Sequence, residues 1–222
     1  MQEDFNPYAP ISMGTTLVAV KYRGGVVIGS DTRTSSGNFI SDRCALKNNQ
    51  ISPSVDHFGG IFVQRCGNAA HTQMITRYVY NYLNYHSMEL PDDVPITLTT
   101  VSTLYKNICY SNKDSISGAF ILTNGREIHS VDSSGAYFKH PLWSTFGSGS
   151  VFIHGFLNAS IHDDLSLEDA TALVTRAVAL ATVSDASSGG CIRICDIKHD
   201  GSFVSKFIDG AEVDGLARVS AY

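Results

Sequence analysis

Gly14-Thr15-Thr16-Leu17-Val18-Ala19-Val20 is the stretch on which the reading of this chain turns. Before it, residues 1–14 contain Pro7 and Pro10, few apolar residues and no period, which predicts a short leader. Everything that reads as a fold begins at Thr15. A threonine at such a junction has a specific chemical use. If the bond after Gly14 is cut, Thr15 carries both a hydroxyl and a free α-amine. That amine has an ordinary pKa of about 7.7–8.0, so much of it is neutral near pH 7 and can accept a proton. It can then activate the hydroxyl of its own residue, the threonine-plus-N-terminus form of nucleophilic catalysis. Gly14, without a Cβ, lets the backbone bend against an attacking hydroxyl. Taken alone, these residues read more simply as the start of an edge strand. The rest of the chain has to overturn that reading.

Composition sets the bounds. At 222 residues and 43% hydrophobic, the chain can bury a substantial core, and no linker-like stretch divides it, so 15–222 is expected to be one domain. A net charge of −5 without a Lys/Arg cluster argues against a nucleic-acid partner. No apolar run approaches the ~20 residues that span a bilayer. The first residues carry Glu3 and Asp4 and no apolar core, so no secretory signal is read there. Cys44, Cys66, Cys109, Cys191 and Cys195 are odd in number and scattered, which suits reduced thiols of cytosol or nucleus. Cys191 and Cys195 share one face of a predicted strand. A metal pair there lacks a second Cys/His pair of matching spacing, and buried small side chains are the better reading.

Taken in order, 15–22 reads as a strand, Gly24-Gly25 as a hairpin turn, and 26–31 as the returning strand, ending in Asp31-Thr32-Arg33-Thr34. More strand is expected at Phe39-Ile40, 47–51 and 60–63, closed by Arg65-Cys66-Gly67. Ile75, Tyr78, Val79, Tyr82 and Leu83 form one helical stripe facing a core, and Val101, Leu104, Tyr105, Ile108 and Cys109 form a second. Strands resume at 118–122, 126–131 and 137–139, with a turn at Asn124-Gly125. Gly147-Ser148-Gly149-Ser150 leads into a helix near Val151. Ser166 is a predicted N-cap, and Ala170, Leu173, Val174, Ala177, Val178 and Ala181 mark the buried face of the next helix. Strands 191–197 and 202–208 finish the chain. The pattern predicts an α+β fold with two packed sheets and helices on the outer faces.

Thr15-Thr16, Asp31 with Arg33, Lys47, Arg65-Cys66-Gly67 with Ala69-Ala70, Gly147-Ser148-Gly149-Ser150 and 185–190 stand in an order that resembles proteasome β subunits. The likeness is to catalytic β subunits of the eukaryotic core particle, most of all the caspase-like, post-acidic type. It covers nearly everything from Gly14 to about Ile208. The resemblance implies a four-layer αββα sandwich of two antiparallel sheets, the N-terminal-nucleophile hydrolase fold. It also implies that residues 1–14 are a propeptide removed by self-processing at Gly14–Thr15, with the mature domain spanning 15–222. Thr15 is the implied nucleophile, Lys47 the active-site lysine, and Asp31 its partner. Asp185, Ser188 and Ser148 match residues that hydrogen-bond around the threonine amine and hydroxyl. Gly67 matches the oxyanion-stabilising N–H, and Thr34, Ala45, Arg65 and Ala69 match substrate-binding positions.

No cofactor and no metal are implied. The implied partners are other α and β subunits in stacked seven-membered rings and polypeptide substrates, with no nucleic acid and no membrane, in cytoplasm and nucleus. A non-catalytic ring member and a simpler bacterial-type chambered protease are the competing classes. The retained Thr15, Asp31, Lys47, Ser148, Asp185 and Ser188 favour the enzyme, and Arg65 with the leader favours the eukaryotic particle. Departures from the family pattern are Leu46 and His71 where aspartates are usual, Asn68 for serine, and Ala45 for threonine. They bear on the shape of the pocket more than on the chemistry. Arg65 shares a strand face with Gly67, which places its guanidinium beside the residue being cut and predicts a preference for acidic side chains there.

Overall fold

The computed structural model describes residues 14–36, 39–51, 60–91 and 94–219, so most of the expected leader, residues 1–13, lies outside the described residues. Strand β1 (Leu17–Tyr22) and β2 (Gly25–Asp31) form a hairpin in which Tyr22 pairs with Gly25, so the turn is Arg23-Gly24, not Gly24-Gly25. Every residue of β2 is buried. Its near-continuous run of small and branched apolar residues is what a strand covered on both faces requires. The short strands β3 (Thr34–Ser36) and β4 (Phe39–Asp42) pair with each other apart from the main sheets.

Next come β5 (Asn48–Gln50) and β6 (Phe62–Gly67), then helices α1 (Ala69–Glu89) and α2 (Leu98–Ser111). Asn68 caps α1 by accepting from the N–H groups of Ala70 and His71, a device worth about 1 kcal/mol. Strands β7 (Gly118–Thr123), β8 (Ile128–Asp132), β9 (Tyr137–His140) and β10 (Trp143–Phe146) follow. Helix α3 (Ser150–Ser160) precedes α4 (Leu167–Ser184), which Ser166 caps as predicted by accepting from the Asp169 N–H. Strands β11 (Ile192–Lys198) and β12 (Phe203–Ile208) and a last helix α5 (Gly210–Val219) complete the order.

Two antiparallel five-stranded sheets result. One has the order β10-β1-β2-β11-β12 and the other β5-β6-β7-β8-β9. Alternation along the strands sorts the side chains into three cores. Val18, Val20 and Val27 pack with Ala170, Val174 and Val178 of α4. Val63, Phe120 and Val131 pack with Ile75, Val79 and Tyr105 of α1 and α2. Leu17, Ala19 and Ile28 face Phe62, Cys66 and Ile121 between the sheets. This is a four-layer αββα sandwich.

Several local expectations change. Tyr78 and Tyr82 are 58% and 49% exposed, so they are not core residues. The buried line of α1 is Thr72, Ile75, Val79 and Leu83, one side chain per turn, and the tyrosines three residues on fall to its flank. Strands β3 and β10 and helix α5 were not expected. Cys195 is buried between the sheets, but Cys191 precedes β11 and is only half-buried. Among the described residues, no helix is long and apolar enough to cross a membrane.

Candidate active site

Thr15 sits one residue before Thr16 and β1, and is 6% exposed. Its hydroxyl receives a hydrogen bond from Lys47 Nζ at 3.0 Å and donates one to the Gly14 carbonyl at 2.6 Å. Its backbone N–H, still part of the peptide bond to Gly14, donates to Ser148 Oγ at 3.3 Å. Lys47, just before β5, also donates to Asp31 Oδ1 at 2.7 Å. Both members of this ion pair are buried, a costly arrangement unless hydrogen bonds complete it. They do. Asp31 Oδ1 also accepts from the Thr16 N–H, and Oδ2 from the N–H groups of Gly189 and Arg33. Burial weakens the hold of Lys47 on its proton, and the attraction of Asp31 pulls the other way without cancelling it.

A second network meets Thr15 from behind. Ser148 donates to Asp185 Oδ2 at 2.6 Å and Ser188 donates to the same oxygen at 2.7 Å. Burial alone would raise the Asp185 carboxyl. Those two hydroxyls and the N–H groups of Ser187 and Ser188 outweigh it and hold the carboxyl below its ordinary value. Among the described residues no direct hydrogen bond joins Ser188 or Asp185 to Thr15. Ser188 Oγ lies 2.8 Å from Thr16 Oγ1, and Asp185 reaches the Thr15 nitrogen only through Ser148. The turn bringing Ser148 there needs a glycine: Gly147 has φ +98°, and a Cβ on it would collide with the Thr15 carbonyl oxygen.

Beside Thr15 opens a cleft of about 640 Å³, lined by Thr34, Ala45, Arg65, Gly67 and Ala69 together with Lys47. All the expected substrate-side residues therefore border one space. Gly67 ends β6 at φ +95°, where a Cβ would meet the Gly118 Cα at 2.5 Å. Arg65 is half-buried, which lowers its pKa, and it donates through Nη2 to the Leu46 carbonyl at 2.7 Å and through Nε to Asn49 Oδ1 at 3.3 Å. Among the described residues the ion pairs are Arg23–Asp164, Lys47–Asp31 and His129–Glu127, so none of their carboxylates is paired with Arg65. Burial pushes the neighbouring Cys66 thiol up to about 12, which leaves it an inert packing group. Among the described residues no three His, Cys, Asp or Glu side chains are grouped to hold a metal ion.

A family model described as "Proteasome subunit" matches residues 11–197. The chain is 34% identical over 196 residues to "Proteasome subunit beta type-6" of Dictyostelium discoideum, covering 86% of this chain and 87% of that one. It is 34% identical over 203 residues to the protein of the same description from Arabidopsis thaliana, covering 89% and 83%. With "Proteasome subunit beta type-1" of Saccharomyces cerevisiae it shares 31% over 189 residues, 83% of each chain. The chain belongs to the proteasome β-subunit family.

Within this family member, Thr16, Gly189 and Asn49 contact the site residues but have no assigned role in the sequence reading, although Thr16 and Gly189 lie in its motifs. Thr16 binds both networks, Asp31 through its N–H and Ser188 through its hydroxyl. The doublet Thr15-Thr16 was the available signal. Gly189 acts through its backbone, and Asn49 reaches Arg65 across two paired strands. His71, one of the departures, accepts from the Ser117 N–H at 3.3 Å and holds the loop before β7.

Proposed function

We propose that this chain is a threonine endopeptidase subunit of the proteasome core particle that cuts after acidic residues. Thr15, released from Gly14, is the nucleophile and its own α-amine the base. The observation that carries the reading is Thr15 Oγ1 held 3.0 Å from Lys47 Nζ, with Lys47 locked to Asp31 in a buried pair. A ring member kept only for assembly has no use for so costly a pair aimed at one hydroxyl.

The chemistry runs in two stages. In the first, Thr15 Oγ1 attacks the Gly14 carbonyl carbon, and its proton ends on the departing Thr15 nitrogen. The C–N bond breaks, leaving an ester that water hydrolyses. The Thr15 nitrogen is an amide here and cannot be the base, so Lys47, its proton loosened by burial, handles the proton. In the second stage the freed amine takes the Oγ1 proton as the hydroxyl attacks a substrate carbonyl, then passes it to the leaving amine. Ser148, fixed by Asp185, orients that amine. The Gly67 N–H receives the developing oxyanion, a contribution of about 10²–10³ in rate for one such donor. Water then releases the acyl group from Oγ1.

The proposed partners are other α and β subunits in stacked seven-membered rings. The exposed Tyr78, Tyr82, Tyr85 and Met88 along α1 give such assembly an apolar surface. The test is the intact mass and N-terminal sequence of this subunit taken from assembled particles. Chains starting at Thr15 are expected, and Thr15→Ala should both retain residues 1–14 and abolish this subunit's activity, because one hydroxyl serves both reactions. Active particles that still carry residues 1–14 would sink the proposal.

A further inference from the structure

Arg65 has an ambiguous position. It borders the cleft of about 640 Å³ beside Thr15, which Leu46 also lines, and a second cavity of about 260 Å³ lined by Asn49, Thr76, Arg77 and Tyr80. Its guanidinium can serve a substrate carboxylate only if it stays on the cleft side. A long side chain between two cavities needs something to choose between them, because each extra rotamer dilutes the useful one.

Two acceptors of the protein bear on that choice. A guanidinium offers five N–H donors in a rigid plane. Nε and one hydrogen of Nη2 point along its side edge, and the remaining hydrogens of Nη1 and Nη2 form its end. The Leu46 carbonyl takes Nη2 at 2.7 Å and Asn49 Oδ1 takes Nε at 3.3 Å. These two acceptors occupy Nε and one hydrogen of Nη2, and among the described residues Nη1 has no hydrogen-bond partner. Because Nε can only donate, the Asn49 atom facing it has to be the amide oxygen. Strand register makes the contact: Asn49 lies opposite Val63, hence on the face that also carries Arg65 two residues on. Such diagonal neighbours are within reach of long side chains.

We propose that Asn49 is a positioning residue for acidic substrates: it pins the side edge of Arg65 so that the end edge faces the cleft and takes a carboxylate in a bidentate grip. The inference rests on the post-acidic reading given above. A neutral acceptor is what the task needs. A carboxylate in the same place would bind Arg65 more tightly and cancel the charge meant for the substrate.

Assembled particles carrying Asn49→Asp, Asn49→Ala, Arg65→Met or the unaltered subunit, with the other active sites selectively blocked, decide the matter. The readout is kcat and KM on fluorogenic peptides ending in Glu or Leu. Asn49→Asp should drop the Glu-to-Leu ratio of kcat/KM by about ten- to a hundredfold, to the level of Arg65→Met, because the guanidinium is then claimed by the protein. Asn49→Ala should lower the ratio by a smaller factor, about three- to tenfold, mainly through KM for the Glu peptide, since the charge survives but its position is lost. Should Asn49→Asp fail to enter particles, the Asn49→Ala ratio decides alone. An unchanged ratio in an assembled variant, or an equal loss on both peptides, overturns the positioning role while leaving the specificity of Arg65 intact. An unaltered subunit that cuts equally after Glu and Leu overturns the post-acidic reading, and this inference falls with it.

Discussion

On the Thr15 side of the cleft, Asp31, Lys47, Asp185 and Ser188 are 0%, 5%, 8% and 1% exposed; Lys47 is tied to Asp31, Ser188 to Asp185, and Thr16 joins the two pairs. On the Arg65 wall, Leu46 is 49% exposed, and Thr34, Ala45, Asn68 and Ala69 are only half-buried. The difference is one of solvent. A buried charge must find its partners within the protein, so a change in one member strands the others. A half-open wall lets water complete any hydrogen bond the protein leaves unmade. The departures from the family pattern follow this division: Ala45, Leu46, Asn68 and His71 all lie toward the open side, and none lies in the buried network.

That contrast can be broken at several points. The largest effect is expected for Lys47→Ala, which should cut turnover by about 10²–10⁴ while particles still assemble. Three backbone N–H groups, of Thr16, Gly189 and Arg33, continue to hold Asp31 and keep the fold. Turnover measured beside native gels checks it, and near-normal rates would make the buried side a purely structural one. Arg65→Met comes next. It should lower the preference for Glu over Leu by about ten- to a hundredfold, with some gain on the Leu peptide. A mutant that loses both substrates alike would show that the open wall is as interdependent as the buried side.

Gly67→Ala tests the seam between the two. A side chain at φ +95° that also meets Gly118 at 2.5 Å should cost about 1–3 kcal/mol, read as a lower melting temperature or poorer incorporation. The smallest expected effect concerns acid. The Asp185 carboxyl is held below its ordinary value of 3.8 by the Ser148 and Ser188 hydroxyls and nearby N–H groups, against burial. A depressed carboxylate stabilises the fold above its ordinary value, and that contribution disappears as pH falls through the folded one. Asp185→Asn should therefore flatten the loss of stability as pH falls below the ordinary carboxylate range in a melting series. An unchanged acid slope would remove Asp185 from the tightly coupled side.

Sequence reading reached the parts of the molecule governed by local rules. The buried face of α4 follows from a 3.6-residue period over many turns, and Ser166 from capping chemistry. Thr15 was legible from its junction, whereas Asp31, Lys47, Ser148 and Asp185 were legible only through the resemblance of several separated motifs to one family. Tyr78 and Tyr82 were misplaced because a helical stripe read from sequence has no fixed width, and an aromatic ring at its border can face either way. Strand β10 was missed because Trp143-Ser144-Thr145-Phe146 is short and its only guarantee is pairing with β1, far away in the chain. Asn49 was invisible for the same reason. Its partner depends on the register of β5 against β6, which no single strand reveals.

The hydroxyl of Thr15 and the carbonyl of Gly14 are 2.6 Å apart on adjoining residues. Under the proposed chemistry, the first bond this subunit cuts is thus supplied by its own tether and not by collision. Tethered groups react as if at enormous local concentration, up to ~10⁵–10⁸ M in well-oriented cases. Dilution therefore cannot slow the event once the site is complete, and no competing peptide can outbid the leader for its place. Each molecule performs the step a single time, and nothing in the product restores the starting bond. The fraction of chains beginning at Thr15 then works as a tally: it counts how many sites have been finished, whatever the amount of protein in the sample.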